Sequence, residues 1–130
     1  MSIFIGKKIV GKSFEEVENA VIEALKPEGF GVVTQMNLEK TFKEKLNEDF
    51  RPYKILGVCN PKFAFEALKQ DDKIGVMLPC NVCIQQLDDS NIEIFAINPN
   101  EVMTGFNVEG LETFAQQVTE RLTRALDQVG

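Results

Sequence analysis

The tetrapeptide Asp88-Asp89-Ser90-Asn91 limits the fold of this chain more than any other feature. It is built from turn-forming residues and lies between two apolar runs, Cys80 to Leu87 and Ile92 to Ile97. Short turns of this chemistry join strands that lie side by side and antiparallel. A parallel pair would need a crossover of a dozen residues or more at this point. The expected architecture is therefore α+β: a two-layer sandwich with a mainly antiparallel sheet and helices on one face. A doubly wound parallel sheet is the runner-up. A length of 130 residues with 44% hydrophobic and 26% charged side chains suits a single folded domain over residues 1–130.

Local signals divide the rest of the chain. The run Ile3 to Val10 reads as a strand ended by Gly11-Lys12. Ser13-Phe14-Glu15-Glu16 has the form of a capping box, and Phe14, Val17, Val21, Ala24 and Leu25 follow at helical spacing. A second strand is expected over Phe30 to Met36, then a helix capped by Asn37 that buries Leu38, Phe42 and Leu46. A third strand, Tyr53 to Cys59, carries Tyr53, Ile55, Gly57 and Cys59 on one face. Asn60-Pro61 opens a short helix whose buried side is expected at Ala64, Ala67 and Leu68, with Phe63 and Phe65 off that line. Ile74 to Leu78 reads as extended and continuous with the next strand, interrupted by Pro79 as a bulge, bend or edge. The last helix has a regular stripe of Leu111, Phe114, Ala115, Val118, Leu122, Leu126 and Val129.

Charge and composition exclude several functions. The net charge is −6, carried by the second half of the chain, and no Lys/Arg stripe offsets it, so no nucleic-acid partner is expected. No apolar run approaches the length of a membrane span, so no membrane partner is expected either. There is no histidine, which removes histidine-based triads and HExxH metal sites. Three cysteines with no export signal at the start of the sequence suggest reduced thiols and a cytoplasmic location.

Reactive residue types concentrate in two places, Cys59-Asn60-Pro61 and Pro79-Cys80-Asn81. A thiol at a strand-to-helix junction can feel the positive end of the helix, which favours thiolate. Cys80 and Cys83 have CxxC spacing, but on a regular strand residues three apart face opposite ways. Plain core packing competes with every functional reading of these cysteines, because free cysteine is among the most buried residue types.

The segments Ser13-Phe14-Glu15-Glu16, Gly29-Phe30-Gly31-Val32, Tyr53 to Pro61 and Leu78-Pro79-Cys80-Asn81-Val82 together resemble the domain-of-unknown-function family numbered 302. The resemblance runs over nearly the whole chain. It implies a TATA-binding-protein-like α+β architecture and a homodimer, and no established activity. Cys59 and Cys80 match the family's two cysteine positions; Cys83 lies outside that signature.

Three functions are carried forward as expectations. The first is a non-catalytic module in which Cys59, Asn60, Cys80 and Asn81 hold a small ligand, or Cys59 and Cys80 hold a soft metal ion such as zinc. The second is a thiol enzyme for redox exchange or sulfur transfer, with Cys59 or Cys80 as nucleophile. The third is a homodimerisation or interaction domain. The first two require the Cys59 and Cys80 sulfurs to share one open cavity.

Overall fold

The structure is a computed structural model that describes residues 3–103 and 110–130. The strands are β1 (Phe4–Val10), β2 (Gly31–Asn37), β3 (Tyr53–Cys59), β4 (Cys80–Gln86) and β5 (Asn91–Ile97). The helices are α1 (Phe14–Leu25), α2 (Leu38–Leu46), α3 (Pro61–Gln70), α4 (Pro99–Val102) and α5 (Leu111–Asp127). Every strand pairing is antiparallel, in the order β1-β5-β4-β3-β2. The α+β sandwich with an antiparallel sheet is thus the observed fold.

Side-chain chemistry sets the element boundaries. At the start of α1 the Ser13 hydroxyl accepts from the Glu16 amide at 3.1 Å, and the Glu16 carboxylate accepts from the Ser13 amide at 3.0 Å. Two orphan donors of the helix start are satisfied by this exchange. Asn37 caps α2 in the same way, accepting from the Lys40 amide at 3.0 Å. In the β4–β5 turn the Asp88 carboxylate accepts from the Ser90 and Asn91 amides, each at 2.9 Å. The turn signal in the sequence is this set of bonds.

One face of the sheet is the core. Leu56, Val82, Ile84, Ile92 and Ile94 meet Val17, Val21 and Leu25 of α1 and Leu122, Ala125 and Leu126 of α5, all almost wholly removed from water. Each fully buried aliphatic side chain contributes about 1.5–3 kcal/mol. The half-buried Lys54–Glu18 ion pair, 3.0 Å, ties β3 to α1 at the margin of this layer.

Three local expectations differ from what is observed. Ile74 to Leu78 is not extended: Asp72–Met77 forms a 3-10 turn in which Asp71 accepts from the Lys73 amide. Its burial is helical rather than alternating, with Ile74 enclosed and Val76 80% exposed. Pro79 accordingly stands before β4 and not inside a strand, with the Leu78–Pro79 peptide cis. The buried line of α3 is also rotated from the expected one. Ala67 is enclosed, Phe63 packs edge-on against Phe114 at 6.3 Å, and Leu68 is exposed. A residue four positions from Ala67 shares its face, and α5 supplies the surface that selects it. In α2, Leu46 is exposed, and Phe42 meets Phe50 at 5.3 Å, beyond the end of the helix.

Candidate functional site

The junction from β3 to α3 is built around Asn60. Pro61 occupies the first helical position, and Asn60 stands at the cap position in extended conformation. Its side chain does not cap the helix. Instead Asn60 Nδ2 donates to the Glu28 carbonyl at 3.0 Å, fastening the junction to the 3-10 turn Lys26–Glu28. Gly29 makes the approach possible: its φ is +88°, and a Cβ there would meet Asn60 Nδ2 at 2.7 Å.

The sheet register decides where the two signature thiols point. Cys80 pairs with Val58, not with Cys59. Directly paired residues share a face, so Cys80 lies in the core with Val58, Val82 and Ile84, and is 8% exposed. Cys59, one residue on, falls on the opposite face with Gly57, half-buried at the end of β3. The register therefore does not place Cys59 directly opposite Cys80, as a pair lining one open cavity would be. Burial pushes the Cys80 thiol up to about 11, with a smaller push from nearby Cys59. Asn81 is exposed and pairs with Gly57, away from Asn60. Among the described residues no group of three or more His, Cys, Asp or Glu side chains is placed to hold a metal ion. Cys83 faces outward from β4, where it pairs with Ile55; burial pushes its thiol up, offset in part by the nearby Tyr53 hydroxyl.

Asn60 borders a cleft of about 890 Å³ between α3 and α5. Phe63 and Phe114 form one wall. The Arg121 guanidinium lies 5.1 Å from the Phe63 ring centre and donates to the Glu28 carbonyl at 3.2 Å. One carbonyl thus receives both Asn60 and Arg121. Arg124 donates to the Glu28 carboxylate at 2.9 and 3.2 Å, which holds its guanidinium above the usual arginine range.

The opposite face of the sheet has a different character. Gly6, Phe95, Cys83, Ile55 and Met36 form a cross-strand row through all five strands, in register. Phe4 packs edge-on against Phe95 at 6.2 Å, and Tyr53 does so at 6.4 Å. Gly6 places no side chain beside Phe95. Beside the apolar row runs a polar one, in which Arg51 donates to Gln85 at 2.8 Å and Gln85 donates to Glu93 at 2.8 Å. Lys8 pairs with Glu93 from β1.

A family model described as "Domain of unknown function DUF302" matches residues 6–129. The chain belongs to the DUF302 family. Its fold is similar to the crystal structure of an uncharacterized conserved DUF302 protein from Bacillus stearothermophilus. That likeness has a TM-score of 0.91 and 28% identity, and covers 100% of both chains. A search of curated proteins finds no match. Among the described residues of this DUF302 domain, no helix is long and apolar enough to cross a membrane.

Of the four site residues expected from sequence, Asn60 lines the α3–α5 cleft, and Cys59, Cys80 and Asn81 do not. Lys62, Phe63 and Arg121, which share that cleft, were not among them. The one signal in the sequence is that Phe63 falls off the line expected to be buried in its helix.

Proposed function

We propose that this DUF302 domain works as a self-association module, pairing with a second copy through the outer sheet face. The observation that carries this reading is the apolar cross-strand row, which the described helices leave open on the far side except near Tyr53, where Phe50 packs at 6.2 Å. Phe4 and Met36 are 54% and 51% exposed there, beside half-buried Phe95, Ile97, Ile55 and Tyr53. Contiguous apolar surface of this kind marks interaction sites.

Two further points favour a second copy as the occupant. In a two-fold pairing a patch meets itself, so a strongly charged patch would repel its own image. The charges on this face are few and mixed in sign: Lys8 and Arg51 with Glu93, in a chain of net charge −6. The size also suits a dimer. With strands about 4.8 Å apart and a rise of about 3.4 Å per residue, five seven-residue strands offer roughly 550 Å². Two such faces bury roughly 1,100 Å², above the ~1,000 Å² expected of a specific interface.

Analytical ultracentrifugation tests the proposal. The wild-type chain should sediment as a dimer in the micromolar range. Met36→Lys and Ile97→Lys should shift it to monomer while circular dichroism and melting temperature stay close to wild type. A wild-type chain that remains monomeric across that range would overturn it. So would a dimer that both substitutions leave intact. The thiol readings draw less support, since Cys80 is enclosed and Cys59 faces the other way.

A further inference from the structure

We propose that the cleft between α3 and α5 binds a small molecule with one carboxylate and a flat apolar body, such as an aryl carboxylate. The site lies in the helical layer and does not rest on self-association through the outer face. Its charges do not cancel. Arg124 is taken by Glu28 at 2.9 Å, and Glu66 by Lys69 at 3.2 Å. Glu120 lies near Arg124 and accepts from Gln116 at 3.3 Å. Lys62 and Arg121 have no carboxylate partner among the described residues. Among the described residues the balance around the cleft is therefore one positive charge, which a monoanion neutralises.

Geometry supplies the rest of the specificity. Arg121 is held by two contacts, its bond to the Glu28 carbonyl and its position over Phe63. A guanidinium fixed in this way keeps further N–H donors in a rigid fork that matches a carboxylate. Half-buried Phe63 is braced edge to face, at 79°, against the enclosed Phe114, so the cleft has a fixed aromatic wall for a flat apolar guest. The volume of about 890 Å³ lies within the range of small-molecule sites. Asn60 is committed to the Glu28 carbonyl and fixes the wall rather than the guest.

Nitrogen-15 NMR titration of the full chain tests the site, with benzoate, acetate, inorganic phosphate and benzyl alcohol as probes. Benzoate should give saturable shifts at the Lys62, Phe63 and Arg121 amides and bind at least tenfold more tightly than acetate, phosphate or benzyl alcohol. Arg121→Gln should weaken benzoate at least tenfold, and Lys62→Gln less, with shifts elsewhere unchanged. Absence of saturable shifts at those amides with benzoate overturns the proposal. Equal binding of benzyl alcohol overturns the charge argument, and equal binding of acetate or phosphate overturns the argument from the rings.

Discussion

The enclosed thiol of Cys80 makes stability depend on alkaline pH by a calculable amount. Its ordinary value of 9.0 rises to about 11 in the folded chain. Well below 9, folded and unfolded chains both keep the proton, and the group has no effect. Between 9 and 11 the unfolded chain releases a proton that the folded chain retains. Unfolding then gains on folding, so stability falls as pH rises. At about 1.4 kcal/mol per unit, the full loss is roughly 2–3 kcal/mol, complete above 11. Urea denaturation of the wild type and Cys80→Ala at about pH 8 and about pH 10.5 measures it. Alanine does not ionise, and its small cavity costs about the same at both pH values. The stability gap between the two proteins should therefore narrow by about 2 kcal/mol at the higher pH. Tyr53 and Cys83 are present in both, so their own alkaline effects cancel from the comparison. A gap unchanged between the two conditions would refute the reasoning. The same displacement leaves about one Cys80 in ten thousand ionised at neutral pH, too few for a nucleophile.

Gly57 lies between Thr34 and Pro79. A Cβ there would run into Thr34 Oγ1 and come within 2.8 Å of Pro79 Cγ. Gly57→Ala should cost about 1–3 kcal/mol by urea titration, and adding Thr34→Ala should recover part of it; a neutral Gly57→Ala would show that the sheet yields there freely. Ser13→Ala removes one half of the α1 capping box and should cost about 1 kcal/mol, read as a lower urea midpoint at unchanged slope.

Local chemistry accounts for what was legible in advance. Ser13 with Glu16, Asn37, and Asp88 with Asn91 each satisfy backbone groups within four residues, so sequence alone predicts the elements they begin or join. The phase of each strand was legible too, because alternation is internal to a strand. Tyr53, Ile55, Gly57 and Cys59 do share a face, and Cys80, Val82 and Ile84 share the other. The alignment of β3 against β4 was not legible. Twenty residues separate Cys59 from Cys80, and nothing in them states whether Val58 or Cys59 lies opposite Cys80. One residue of offset decides whether two thiols meet. The run Ile74 to Leu78 was ambiguous for another reason: five apolar residues fit a turn of helix as well as a strand. The α3–α5 cleft depends on Arg121 reaching a carbonyl ninety-three residues earlier, which no local pattern encodes.

The pairing of β1 with β5 has a consequence for the growing chain. Phe4 pairs across with Ile97 and Val10 with Asn91, so β1, made before the other four strands, finds its sheet neighbour among the described residues in β5, made after them. On a ribosome adding about 5–20 residues each second, that strand waits several seconds with its edge unsatisfied. Lys7 and Lys8 sit in that waiting segment, and two adjacent positive charges discourage it from pairing with a neighbouring nascent chain.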